Sequence, residues 1–98
     1  MDEKKLENRF RRKVQKLGGR ALKFTVPGKR GMPDRIILLP GGKVWFAELK
    51  APGKRLQPLQ EKRAAELRTM GFPVYKIDSD EAIDAFLAEF LAEVSHEI

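Results

Sequence analysis

The sequence contains no cysteine, a single histidine and no long apolar run. Without cysteine, the chain can form neither disulfides nor thiolate metal sites. No stretch approaches the roughly 20 apolar residues of a membrane-spanning helix, and the first ten residues lack the apolar core of a signal peptide. His96 stands alone in the C-terminal tail, where we expect it to be exposed and not a ligand. We therefore expect a cytoplasmic protein with no membrane partner.

Positive charge is abundant and unevenly distributed. The chain has 98 residues, which suits a single domain over residues 1–98, and its net charge is +6. Residues 1–55 carry 16 Lys and Arg against 5 Asp and Glu, whereas residues 56–98 carry 4 against 9. Accidental clustering on a solvated surface is one explanation. The stronger one is a surface built for a polyanion, which makes nucleic acid the favoured partner.

Hydrophobic periodicity and turn residues predict seven elements in the order α-β-β-β-α-β-α. The predicted ranges are a helix over 3–17 with Asp2 as its N-cap, strands over 21–26, 35–39 and 43–50, a helix over 58–71, a strand over 74–77 and a last helix capped by Asp78 or Ser79. This order predicts an α/β fold with a mixed central sheet flanked by helices.

Two charged residues end the most apolar strand of the chain, in the run VWFAELK. Both faces of this strand are apolar for most of its length, which is typical of a central strand that is buried on both sides. Glu48 and Lys50 share one face and would lie at the edge of the core, where an unpaired charge is costly. An ion pair between them at a fraying strand end is the structural alternative.

Counting across the predicted hairpin brings a second carboxylate to Glu48. If Leu39 faces residue 43 or 44, then Asp34 faces residue 48 or 49. Two adjacent carboxylates repel each other unless a cation or a shared proton lies between them. Oxygen ligands with open positions suit Mg²⁺ or Mn²⁺, and Lys50 would then stabilise charge at a phosphate or activate a water.

Two further polar side chains fall on helix faces that are turned toward the sheet. Glu7 follows the helical spacing of Phe10 and Val14, and Gln60 follows that of Ala64. Glu7 could equally be a solvated side chain that stabilises the helix N-terminus. Gln60 could bond a site water or merely cap its helix. Both are candidates for the site.

These residues together resemble the PD-(D/E)xK nuclease superfamily. Glu7, the run GMPDR at 31–35, the run ELK at 48–50 and Gln60 are most similar to the VRR-NUC (virus-type replication-repair nuclease) domain in its stand-alone form. The resemblance extends from Glu7 to the last strand, and the same order also resembles archaeal Holliday-junction resolvases. It implies a restriction-endonuclease-like core and a Mg²⁺- or Mn²⁺-dependent endonuclease that cuts branched DNA, such as Holliday junctions, as a homodimer.

The resemblance also implies roles for individual residues. Asp34, Glu48 and the backbone carbonyl of Leu49 would ligate the metal, and Lys50 would orient or activate the attacking water. Glu7 would be a site carboxylate that acts directly or through water, and Gln60 would be the helix glutamine of the family. Gln57 departs from the pattern, because a small hydroxyl residue is expected before this helix. A bacterial or bacteriophage-infected cell is the implied setting.

Basic residues near these motifs are the candidates for contacts with DNA: Lys29, Arg30, Arg35, Lys54, Arg55, Arg9 and Lys13. The loop of Lys29 and Arg30 contains glycine but matches no P-loop spacing. Two other functions stay open, namely a non-catalytic nucleic-acid-binding module on the same fold and a sequence-preferring restriction or recombination nuclease. Leu87 and Leu91 widen the apolar stripe of the last helix, which is either ordinary core or the contact with a twofold partner.

Overall fold

The computed structural model describes residues 3–96, which form three helices and a four-stranded sheet. The elements are α1 (Glu3–Lys16), β1 (Arg20–Lys23), β2 (Arg35–Leu39), β3 (Lys43–Leu49), α2 (Pro58–Thr69), β4 (Val74–Ile77) and α3 (Asp80–His96). The predicted element order and the α/β class are confirmed. The proposed N-cap, Asp2, lies outside the described residues. None of the helices within residues 3–96 has the length and apolar character needed to span a bilayer.

The strands lie in the order β1-β2-β3-β4, and the sheet is mixed. β1, β2 and β3 pair antiparallel, whereas β3 and β4 pair parallel. A parallel pair needs a crossover connection, and α2 provides it. β3 therefore has a neighbour on each side, and its last five residues are all buried. This position explains why both of its faces are apolar.

Two apolar layers cover the two faces of the sheet. On one face, α1 and α3 pack over β2 and β3, and the ring of Phe86 lies 5.1 Å from that of Phe10 and 5.2 Å from that of Trp45. On the other face, Ala64 and Leu67 of α2 pack against Phe46. The α2 layer is the smaller of the two, and it faces the side of β3 that carries Glu48.

The end of β1 differs from the prediction, and the N-cap of α3 is one of the two predicted residues. β1 ends at Lys23 rather than at residue 26, because β2 begins at Arg35 and offers no further strand partner. The last hydrogen bond there runs from the Phe24 N–H to the Asp34 carbonyl. At α3, the Ser79 hydroxyl accepts the Ala82 N–H at 3.1 Å, so Ser79 is the N-cap of the two residues considered.

Candidate active site

The hairpin register brings Asp34 and Glu48 together. Leu39 pairs with Lys43 and Arg35 pairs with Ala47. Asp34 immediately precedes β2, so the same register continued by one residue sets it opposite Glu48. The tight turn between β2 and β3 fixes this register and with it the relation of the two carboxylates.

Reciprocal hydrogen bonds fix the two carboxylates at the open end of the hairpin. The Asp34 N–H donates to Glu48 Oε1 at 3.1 Å, and the Leu49 N–H donates to Asp34 Oδ1 at 3.2 Å. Each acidic side chain is thus held by the backbone of the other strand. This arrangement makes the carboxylate pair part of the sheet and not a mobile surface feature.

Burial disfavours the charged forms of both groups. Only 8% of Glu48 is exposed, and burial followed by the nearby Asp34 carboxylate raises the pKa of Glu48 from 4.5 to about 7. Burial also raises the pKa of Asp34 above its ordinary value of 3.8, although the Leu49 N–H partly opposes the rise. Two carboxylates that resist ionisation side by side form a site that a cation stabilises.

Lys50 supplies a positive charge beside this pair. Its ammonium lies 4.0 Å from Glu48 Oε2, and it opposes the rise in the pKa of Glu48. The backbone N–H of Lys50 donates to the Ile77 carbonyl on β4, which anchors the residue just beyond the end of β3. The ion pair between Glu48 and Lys50, which is the structural alternative, is present in the structure, and Asp34 is held beside Glu48 as well.

Gln60 links the start of α2 to Glu48. Its Oε1 accepts the Gln57 N–H at 2.8 Å, and its Nε2 donates to Glu48 Oε2 at 3.3 Å. Gln57 occupies the N-cap position, so the glutamine at the third helical position caps the helix from within. Gln60 therefore caps its helix, as one of the two alternatives predicts, and the same side chain contacts the Glu48 carboxylate.

Glu7 lies near the site but not within the carboxylate pair. Its Oε1 forms an ion pair with Arg35 Nη2 at 2.9 Å. Arg35 also donates from Nη1 to the Asp34 carbonyl at 2.9 Å, and its side chain is only 11% exposed. Glu7 influences Asp34 through space, since it contributes to the raised pKa of that residue.

A close backbone approach sets the turn that carries Asp34. Gly31 has a φ of +82°, and a Cβ placed there would meet the Leu59 Cγ at 2.7 Å and the Leu59 backbone at 3.0 Å. In addition, the Arg63 guanidinium of α2 donates to the Arg30 carbonyl at 3.0 Å. The loop that precedes Asp34 is thus seated on the first turns of α2.

Apart from Arg35, which is bound to Glu7 and to the Asp34 carbonyl, the basic candidates fall into two groups. Lys29, Arg30, Lys54 and Arg55 are exposed on the two loops that lead to and from the carboxylate pair. The other two form ion pairs with α3, Arg9 with Asp80 at 2.6 Å and Lys13 with Asp84 at 3.2 Å. The loop residues are therefore better placed than the α1 residues to meet a phosphate near the site.

The structure adds basic residues that the sequence reasoning missed. A surface depression of about 430 Å³ beside the start of α2 brings Arg68 and Lys76 to Arg55. The acidic balance of residues 56–98 concealed these two cations. The order of the elements could have revealed them. Arg68 lies near the end of α2, and Lys76 lies on β4, which is the next element of the chain.

The side chains that the structure brings together for a metal are two carboxylates, Asp34 and Glu48. Among residues 3–96, no group of three His, Cys, Asp or Glu side chains is assembled to hold a metal ion. Mg²⁺ commonly retains several waters and binds through one or two carboxylates together with substrate phosphate. Asp34 and Glu48, held side by side and reluctant to ionise, fit that mode of binding.

Comparisons with known proteins give a consistent result. A family model described as the VRR-NUC domain matches residues 1–81. A relative named "Putative nuclease p44", from Acyrthosiphon pisum secondary endosymbiont phage 1, is 43% identical over 79 residues, which cover 81% of this chain and 85% of the relative. A solved structure of a VRR-NUC domain matches with a TM-score of 0.82 at 26% identity, covering 88% of this chain and 94% of that chain.

Proposed function

This chain belongs to the VRR-NUC family of nuclease domains, and we propose that it is a divalent-metal-dependent endonuclease that hydrolyses DNA phosphodiester bonds. The observation that carries the proposal is the pair of carboxylates, Asp34 and Glu48, held against each other by reciprocal backbone hydrogen bonds. Their raised pKa values support the proposal, because a bound cation would relieve the unfavourable charge of the pair.

Each side chain has a distinct role in this proposal. Asp34, Glu48 and the Leu49 carbonyl would hold a Mg²⁺ or Mn²⁺ ion, which would supply positive charge to the phosphate and make water more acidic. Gln60 orients Glu48 through the hydrogen bond to Oε2. Lys50, beside the same oxygen, orients the attacking water or neutralises charge at the phosphate.

The reaction itself is an ordinary hydrolysis. A water oxygen gives up a proton and bonds to phosphorus, one phosphorus–oxygen bond of the backbone breaks, and the departing oxygen takes up a proton. The residues of this chain contribute mainly by positioning the phosphate and the water, since phosphoryl chemistry depends on orientation and charge stabilisation. The rigid central strand β3 is suited to that role because it carries both Glu48 and Lys50 at its end.

The proposed substrate is branched DNA, such as a four-way junction. The exposed cations on the two flanking loops would contact phosphates, which carry most of the affinity but no sequence information. Symmetric cutting of two strands needs two sites, and this chain offers one, so we propose a homodimer as the acting form. Leu91 on α3 is 53% exposed and is one apolar residue available for such a contact, whereas Leu87 packs partly against the core. A bacterial or phage-infected cell is the proposed setting.

The direct test is cleavage of a labelled four-way junction and a linear duplex of matched sequence, each with Mg²⁺, with Mn²⁺ and with chelator. We expect metal-dependent cutting that favours the junction. Binding of both DNAs without cleavage at any protein concentration would instead identify a non-catalytic nucleic-acid-binding module. Preferred cutting of the linear duplex at one sequence would identify a restriction-type or recombination-type nuclease.

A matched pair of variants separates chemistry from binding. Asp34→Asn retains an acceptor for the Leu49 N–H but loses the negative charge, so cleavage should be abolished while DNA binding persists. Asp84→Asn removes a carboxylate of α3 that pairs with Lys13 and not with the carboxylate pair of the site. This variant should cut DNA normally. Full activity of Asp34→Asn would contradict the metal assignment.

A further inference from the structure

Arg35 lies in an unusual place for a residue expected to contact DNA. Its side chain is 11% exposed, and it begins β2 on the face that Ile37 and Leu39 bury against α1 and α3. A guanidinium in that position offers little surface to a phosphate. Arginine is suited to such partly buried sites because its planar fork can hold two acceptors at once.

The fork of Arg35 joins two parts of the candidate site. One nitrogen, Nη2, pairs with Glu7 Oε1 at 2.9 Å, and the other, Nη1, donates to the Asp34 carbonyl at 2.9 Å. Nη1 also lies 3.7 Å from Asp34 Oδ2. Arg35 thus ties helix α1 to the peptide that carries a carboxylate of the pair.

Glu7 is already engaged by this contact. Its side chain is 33% exposed, and the acceptor atom seen in the structure faces the guanidinium of Arg35. The two site carboxylates are instead held by backbone N–H groups from the neighbouring strand. Glu7 therefore differs in kind from Asp34 and Glu48, because its link to them passes through another side chain.

We propose that Arg35 is a positioning residue that clamps the Asp34 peptide, and that Glu7 acts on the site through Arg35. This inference rests on the proposed function for the metal at Asp34 and Glu48. It assigns Arg35 a role other than DNA contact, and it gives Glu7 a role other than direct ligation. Partners of metal ligands are commonly worth about 10- to 100-fold in metal affinity, so the effect is measurable.

The first experiment uses the metal-free protein and reports on geometry alone. The Leu49 N–H is hydrogen-bonded to Asp34 Oδ1, so its hydrogen exchange reports whether Asp34 is held in place. Arg35→Met keeps the apolar stem but removes the fork, and exchange at Leu49 should become about tenfold faster. The Lys50 N–H, bonded to the Ile77 carbonyl, is the internal control and should not change.

The second experiment measures Mn²⁺ affinity in a double-mutant cycle. Glu7→Gln should weaken Mn²⁺ binding about tenfold in the wild-type background but less than twofold when Arg35 is already Met. Arg35→Lys retains the charge without the fork, so it should restore only part of the affinity. Asp84→Asn, which breaks a different ion pair with α1, should bind Mn²⁺ as the wild type does.

The outcomes separate this inference from the proposed function. Loss of Mn²⁺ binding that is equal in both backgrounds would show that Glu7 acts on the metal directly, and it would overturn the inference. Unchanged exchange at Leu49 in Arg35→Met, or exchange that accelerates equally at Leu49 and Lys50, would overturn it as well. A wild-type protein that binds no Mn²⁺ would overturn the proposed function, while the exchange data would still decide the clamp.

Discussion

Glu48→Gln should stabilise the metal-free protein at neutral and alkaline pH. Glu48 has a pKa of about 7 in the folded protein against an ordinary value of 4.5. A group whose folded pKa is raised contributes stability below its unfolded pKa and loses that contribution as the pH rises through the folded pKa. Ionisation of Glu48 therefore destabilises the fold between about pH 4.5 and pH 7, and the neutral glutamine does not titrate.

The size of the effect follows from the same pKa values. A rise from 4.5 to about 7, at about 1.4 kcal/mol per pKa unit, corresponds to about 3 kcal/mol. Because Gln60 Nε2 donates to Glu48 Oε2, an amide at this position loses one acceptor unless Gln60 rotates. This offset is independent of pH. The change in the difference between the two proteins across the pH range therefore reports the titration of Glu48 together with its coupling to Asp34.

Urea unfolding in chelator gives the required free energies of unfolding. The wild-type value minus the Glu48→Gln value should fall by about 3 kcal/mol from pH 4.5 to pH 8 and then level off. Saturating Mg²⁺ or Mn²⁺ should raise the wild-type value at pH 8, because under the proposed function the folded carboxylate pair binds the ion and the unfolded chain does not. If the free energies of unfolding of the two proteins changed in parallel with pH, the claim that ionised Glu48 destabilises the fold would be refuted.

Three further predictions concern residues around the pair. Lys50→Met should lower single-turnover cleavage by about 10²–10³-fold, because it removes charge stabilisation at the phosphate, and unchanged cleavage would contradict that role. Gly31→Ala should destabilise the protein by about 1–3 kcal/mol and lower cleavage, because the added Cβ would meet Leu59. The control is Gly28→Ala, which has a similar φ of +78° but open space around the Cβ, and it should retain cleavage. Arg55→Ala should reduce the salt dependence of DNA binding by about one phosphate contact, measured as the slope of log affinity against log salt.

The meeting of Asp34 and Glu48 could be predicted because it depends on local rules. A short turn between two strands fixes the register, and one residue of extension beyond Arg35 then brings the carboxylates together. The burial of both faces of β3 could be predicted as well, since a nearly continuous apolar run is typical of a strand that is buried on both faces. The element order could be predicted from periodicity and turn residues, which are also local features of the sequence.

The placement of the Arg35 side chain could not be predicted, because its environment comes from tertiary packing. At the start of a strand, next to Asp34 and in a basic half of the chain, arginine suggests a phosphate contact. Only the placement of α1 over β2 turns its guanidinium toward Glu7 and away from solvent. The approach of Gly31 to Leu59 is similar, since two segments far apart in sequence meet there.

The boundary of β1 shows a further limit of sequence reasoning. Alternation favoured a strand to residue 26, yet a strand persists only where a partner provides hydrogen bonds. β2 begins at Arg35, so pairing ends at Lys23 with one additional hydrogen bond at Phe24. Strand length is therefore set by the neighbouring strand as much as by the local pattern.

The most direct test of the central claim is a crystal structure with bound Mn²⁺, located by its anomalous scattering. A single ion should be coordinated by one oxygen each from Asp34, Glu48 and the Leu49 carbonyl, with waters completing the shell. An ion at saturating Mn²⁺ that touches only one of the two carboxylates, or no ion between them, would contradict the account.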